Sequence, residues 1–143
     1  MSTLRTLFAV TLIALTTGCA SGLNPAQKSE FAELRAKNLD VEVKRPNLAA
    51  GLGLLPGGGS LYSRAYGYSI ANMLLWPASI LWDPFSGYRA AEALNYQATR
   101  EHVASLRKRD ISQLDTRLNS NEIDFKTYIL EKRKIEDKYP MAL

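Results

Sequence analysis

Few side chains in this chain are of a type that does covalent or metal chemistry, and their spacing argues against most of it. The single cysteine, Cys19, excludes an internal disulfide and any multi-cysteine metal site. The single histidine, His102, has no second histidine or cysteine to join it around a metal, so it reads as a helix-surface residue. Ser60, Ser63, Asp83 and His102 supply the residue types of a hydrolytic triad, but nothing in their spacing argues for one, and such sets are defined by geometry. Pro56-Gly57-Gly58-Gly59 has the glycines of a phosphate cradle. Ser60-Leu61 stands where a P-loop needs its lysine, so the run reads as a flexible turn or a close backbone crossing. No catalytic residue, metal or cofactor is expected, and the chain reads as non-enzymatic.

The charge distribution says more. The 143 residues suffice for one ordinary domain, and 46% hydrophobic and 22% charged is near the globular average. That average hides a segregation: between Leu48 and Thr99 only Arg64, Asp83, Arg89 and Glu92 carry a formal charge. A net charge of +4 with no dominant basic face does not suggest a nucleic-acid partner, but it suits weak attraction to anionic lipid heads. No internal repeat is visible.

Residues 1–18 have the form of an export signal. Arg5 is the positive flank, Leu7 to Leu15 is an apolar core too short to span a bilayer, and Thr16-Thr17-Gly18 are small. The run Thr16-Thr17-Gly18-Cys19 resembles the bacterial lipoprotein signal, with threonine where that family usually has leucine. The resemblance implies that Cys19 is acylated and becomes the first mature residue. Ala20 follows in place of the aspartate that commonly retains lipoproteins at the inner membrane, which implies the periplasmic face of the outer membrane. Several acyl chains together anchor stably, each buried methylene contributing ~0.8 kcal/mol.

Residues 19–47 read as a lipid-anchored linker with one short helix. Asn24 and Pro25 suit its N-cap and first position, Gln27 can complete a capping box, and it ends near Asn38. Asp40 to Pro46 alternates at Val41 and Val43 and is expected to be extended, as an edge strand without an evident partner. Residues 48–87 form the apolar block. Gly67 to Trp82 as a helix would span about 24 Å, short of the ~30 Å hydrocarbon core, and Asn72 and Pro77 add to the cost of spanning. Three placements remain open: a tightly packed short hairpin, a shallow one, or a soluble core covered by the tail. Tyr62, Tyr66 and Tyr68 around Arg64 fit a membrane–water interface or the ordinary packing of a helix start. Gly57, Tyr62, Gly67 and Trp82-Asp83 resemble, in order and spacing, the two-transmembrane-helix domain family. Leu61 replaces an aromatic of that pattern, and Arg64 stands where it often has glycine. The resemblance implies a hydrophobic helical hairpin without enzymatic activity.

Residues 88–143 read as a polar helical tail. Asp83 can cap a long helix with Pro84 at its first position, Ser86 being the alternative cap, and no glycine or proline interrupts it from Tyr88 to Leu118. Asn119 to Asn121 ends it, Asp124 caps the last helix, and Pro140 stops that one. Leu118, Ile123, Asp124, Tyr128, Lys132 and Ile135 resemble the SHOCT (short C-terminal) family from about residue 114, with Asn121 standing in for a glycine. That resemblance implies a small helical hairpin used in interaction or oligomerisation.

The expected fold is therefore mainly α: a hydrophobic helical hairpin, a long helix and a C-terminal helical hairpin. The expected role is that of a non-enzymatic, lipid-anchored envelope protein. Cys19 would carry the lipid, and Tyr62, Tyr66, Tyr68, Leu74, Leu75, Trp76, Ile80, Leu81 and Trp82 would contact the membrane. Arg107, Lys108 and Arg109 in the tail would bind a protein partner, or the tail would self-associate. The alternative is a periplasmic carrier whose Trp76, Trp82 and tyrosines line a pocket for an apolar ligand.

Overall fold

The computed structural model describes residues 22–140; the expected signal segment and Cys19 lie outside them. The chain is mainly helical, with no strand among the described residues. The helices are α1 (Pro25–Ala36), α2 (Pro46–Leu52), α3 (Gly58–Tyr62), α4 (Tyr66–Leu74), a single 3-10 turn (Ala78–Leu81), the long α5 (Asp83–Asn119) and α6 (Phe125–Lys138). They fall into two compact units. The first holds residues 22–26 and Glu42–Asn95, and the second holds Gln27–Val41 and residues 96–140.

In the first unit the apolar block is helical in short pieces, with α3 packed on both α2 and α4. The helix that starts at Tyr66 stops at Leu74 and does not continue to Trp82, because Pro77 has no N–H to donate and its ring would strike the carbonyl one turn back. At the far end of α3, Arg64 takes a left-handed conformation (φ 59°), and the Ala65 N–H donates to the Ser60 carbonyl at 2.8 Å. This is a helix stop in which glycine is the usual residue. The segment before Pro46 is not an edge strand. The Val43 and Lys44 N–H groups both donate to Asn95 Oδ1, at 3.0 and 2.8 Å, and Asn95 Nδ2 donates to the Lys44 carbonyl at 2.7 Å. A buried amide side chain thus replaces the missing strand partner, as backbone groups taken from water must be paired.

In the second unit α1 ends where Asn38 adopts φ 55°, with the Leu39 N–H bonded to the Leu34 carbonyl. The end of α5 repeats this device at Asn121 (φ 58°), with the Glu122 N–H on the Arg117 carbonyl. Asp124 caps α6 by accepting the Thr127 N–H at 3.0 Å, and the Thr127 groups hold its carboxyl below the usual range. The core is small: Leu34, Val103 and Tyr139, flanked by Leu39, Leu106 and Ile135. Phe31 packs edge-on against Tyr96, whose hydroxyl donates to Glu30. Polar contacts join α5 to α6. Tyr128 donates to Asp115 at 2.9 Å, Arg117 meets Glu131 at 2.7 Å, and Tyr139 donates to Asp110 at 2.7 Å.

The Tyr139 hydroxyl, helped by Arg109 and Lys138 and opposed by burial, holds the Asp110 carboxyl below its ordinary value of 3.8. A carboxylate whose folded pKa is depressed adds stability above its unfolded pKa and loses it as pH falls through the folded value. Thermal unfolding followed by helical circular dichroism should therefore be steady near neutrality and fall below about pH 4. Tyr139→Phe should cost about 2 kcal/mol at pH 7, as expected for a hydrogen bond to a charged group, and should flatten that acid slope. An acid slope identical in Tyr139→Phe would assign it to other carboxylates.

Candidate functional site

The first unit reverses the usual distribution of polarity. Ser60, Ser63, Ser69, Asn72, Ser79 and Asp83 are all buried, while Leu54, Leu55, Leu61, Ile70, Met73, Leu74, Leu75 and Leu81 are all exposed. In α4, Ser69 and Asn72 face inward, and Tyr66, Ile70, Met73 and Leu74, spaced at helical intervals, face outward. A helix of a water-soluble domain turns its apolar stripe to the core; this one turns it out. Single exposed leucines need no explanation, but eight large apolar side chains exposed around a polar interior do.

The interior is a hydrogen-bonded cluster centred on Asp83. The Asp83 carboxyl accepts from the Ser60 hydroxyl and from Asn72 Nδ2 at 2.6 Å, with Ser86 Oγ at 3.3 Å. Asn72 Nδ2 also donates to Ser60 Oγ at 3.0 Å, and Asn72 Oδ1 accepts from Trp82 Nε1 at 2.7 Å. Asp83 Oδ2 is buried without a hydrogen-bond partner among the described residues. Asp83 lies in the first turn of α5, where the helix dipole favours a carboxylate. Its side chain does not cap α5, as expected from sequence, because Ser60 and Asn72 claim it; the helix opens with the Ser86 N–H on the Trp82 carbonyl. Ser63 and Ser69 donate to the Gly87 and Gly57 carbonyls at 2.8 and 3.1 Å.

Small residues let the backbones meet around this cluster. A Cβ on Gly53 would fall on the Pro84 backbone, one on Gly59 would lie 2.7 Å from the Ala49 carbonyl oxygen, and one on Gly87 would lie 2.9 Å from Gly59. Gly59 of the expected turn, with Gly53 and Gly87 outside it, thus forms a close crossing of α2, α3 and α5; small residues at such crossings are also common between helices in lipid.

Of the expected membrane contacts, Leu74 and Leu81 are 80% and 86% exposed, Trp76 and Trp82 are 52% and 40% exposed, and Tyr66 and Leu75 are exposed as well. Tyr62, Tyr68 and Ile80 are half-buried. The Tyr62 hydroxyl accepts the Arg45 N–H at 3.2 Å, and Lys44 Nζ lies 4.3 Å from the Tyr62 ring centre. Trp76 and Trp82 stand on the surface, and the Trp82 indole N–H reaches inward to Asn72. Sequence reasoning missed the inward serines, Asn72 and Asp83, and the outward Leu54, Leu55, Leu61, Ile70, Met73 and Phe85. The available signal was that the rare small polar residues of an apolar segment are its interior.

Of the triad types, Ser60 and Asp83 are hydrogen-bonded, Ser63 goes elsewhere, and His102 is exposed in the second unit. In the tail, Arg107 lies 3.8 Å from Glu136 and Arg109 lies 3.1 Å from Asp110, so two of the three basic residues already face acids. Lys108 lines a shallow groove with Ala104, Arg107, Ile111, Ser112 and Asp115. Among the described residues no helix is long and apolar enough to cross a membrane. No protein-family model, curated protein or solved structure matches the chain.

Proposed function

We propose that this is a non-enzymatic, lipid-anchored bacterial envelope protein whose first unit docks on the membrane through its apolar surface while its helical tail serves protein contact or self-association. The inverted unit carries the reading: an exposed surface of leucine, isoleucine, methionine and tryptophan above buried Ser60, Asn72 and Asp83. Such a surface is stable against acyl chains and costly against water. The unit lies in the interface as a wedge, since its helices are short and its tyrosines and tryptophans are the residues that favour the headgroup level. Acylation of Cys19, implied by the lipoprotein resemblance, delivers this surface to the periplasmic face of the outer membrane.

The two tryptophans of the chain both lie in this unit, so their fluorescence reports it alone. Vesicles containing brominated lipid should quench Trp76 and Trp82 in the Cys19→Ala chain. Leu81→Glu should leave the fold intact, because the side chain is 86% exposed. It should weaken vesicle binding by about 2 kcal/mol, roughly thirtyfold, through the lost apolar burial. Tryptophans that brominated lipid leaves bright would rule out docking by this surface.

A further inference from the structure

We propose that the first unit selects anionic phospholipid, holding headgroup phosphates through Arg64 and Arg89 with Lys44 and Arg45 in support. The inference rests on the docking reading above and adds the lipid class. It begins from the distribution of ion pairs. Among the described residues every ion pair lies in the second unit, where Arg35, Lys37, Arg100, Arg107, Arg109, Arg117 and Lys138 each face a carboxylate. The cations of the first unit, Lys44, Arg45, Arg64 and Arg89, take part in none of them. The unit's acids are Glu42, Glu92 and the buried Asp83, so its surface is left with an excess of positive charge.

Two of these cations stand on aromatic rings. The Arg89 guanidinium lies 4.0 Å from the centre of the Phe85 ring, which is 60% exposed, and Lys44 Nζ stands over Tyr62. A cation held on an aromatic face keeps its N–H donors for another acceptor while the ring enters the apolar phase. Arg64 is exposed on the turn between α3 and α4, in the left-handed conformation that glycine adopts more easily. The chain thus carries a guanidinium at a position whose backbone favours having no side chain, close in sequence to the exposed Leu61 and Tyr66. Phosphate oxygens suit guanidinium donors, which can bind them two at a time.

The test uses the full chain with Cys19→Ala, so that no acyl chain contributes. Binding is read by tryptophan fluorescence on vesicles of phosphatidylcholine alone and on vesicles with about a third phosphatidylglycerol. The anionic vesicles should bind at least tenfold more tightly, and the preference should shrink as salt rises. Arg64→Gly and Arg89→Gln should each reduce that preference about fivefold, weakening binding to anionic vesicles more than binding to neutral ones. Arg64→Gly suits its own backbone conformation, so a folded variant is expected, checked by circular dichroism. Equal binding to both vesicle types overturns the proposal and leaves docking standing. A preference that survives Arg64→Gly with Arg89→Gln but disappears in Arg107→Gln with Lys108→Gln also overturns it, by moving the selectivity to the tail. Binding to neither vesicle type removes the docking reading itself.

Discussion

Gly53→Ala is expected to unfold the apolar unit or weaken it by about 3 kcal/mol or more, the upper end of the overpacking range, although it adds one methyl group. The position is an ordinary right-handed one (φ −64°, ψ −12°), so backbone freedom is not the reason. The reason is space: the added Cβ would strike the Pro84 nitrogen and lie 2.5 Å from the Pro84 Cα and 2.8 Å from the Asp83 carbonyl carbon. All three are backbone atoms at the start of α5, and no rotamer change can move them away. The neighbouring glycine gives the opposite sign. Gly51 lies inside α2 with nothing within 4 Å of an added Cβ, so Gly51→Ala should stabilise by up to about 1 kcal/mol through helix propensity. Denaturant unfolding of the vesicle-bound chain, followed by Trp76 and Trp82, compares the two. Equal midpoints would mean that α2 and α5 do not cross at this distance.

The second large effect is expected at Asp83. Asp83→Ala leaves the Ser60 hydroxyl and the Asn72 amide buried without the acceptor they share. A buried donor left unpaired costs about 1–3 kcal/mol, and because Asn72 Nδ2 keeps Ser60 Oγ as a second acceptor, the pair together cost about 2–4 kcal/mol. Trp82 is drawn in as well, because its indole N–H is held by the Asn72 that Asp83 orients. Asp83→Asn keeps an acceptor oxygen for both donors and should cost much less. The same fluorescence-detected unfolding ranks wild type above Asp83→Asn and Asp83→Asn well above Asp83→Ala. If alanine and asparagine were equally damaging, the negative charge at the start of α5 would matter more than the acceptor.

Both effects arise in an interior that offers little ordinary hydrophobic packing. The first unit exposes most of its larger aliphatic side chains, so its coherence depends on close backbone contact and on paired polar groups. Losing either leaves few apolar contacts inside to compensate. The second unit is built in the ordinary sense, around Leu34, Val103 and Tyr139, with polar links such as Tyr139 to Asp110 joining its helices.

Local chemistry determined the helical character and most of the boundaries. Pro25 starts α1, Asn38 and Asn121 take the left-handed stops, Asp124 caps α6, and the uninterrupted run after Pro84 becomes one long helix. Each of these depends on a residue's own backbone preference and its near neighbours, which a sequence states directly. The segregation of charge from residue 48 to 99 was equally plain. Which side of the apolar block faces out was decided only by the tertiary structure. Ser60, Asn72 and Asp83 stand on three separate helices, α3, α4 and α5, so no single helical period links them, and they meet because Gly53, Gly59 and Gly87 let three backbones cross. The same holds for Asn95, which pairs the backbone of a segment about fifty residues away that alternation alone made look like a strand. Periodicity records that a segment has two faces; which of them is the inside depends on what the rest of the chain brings to it.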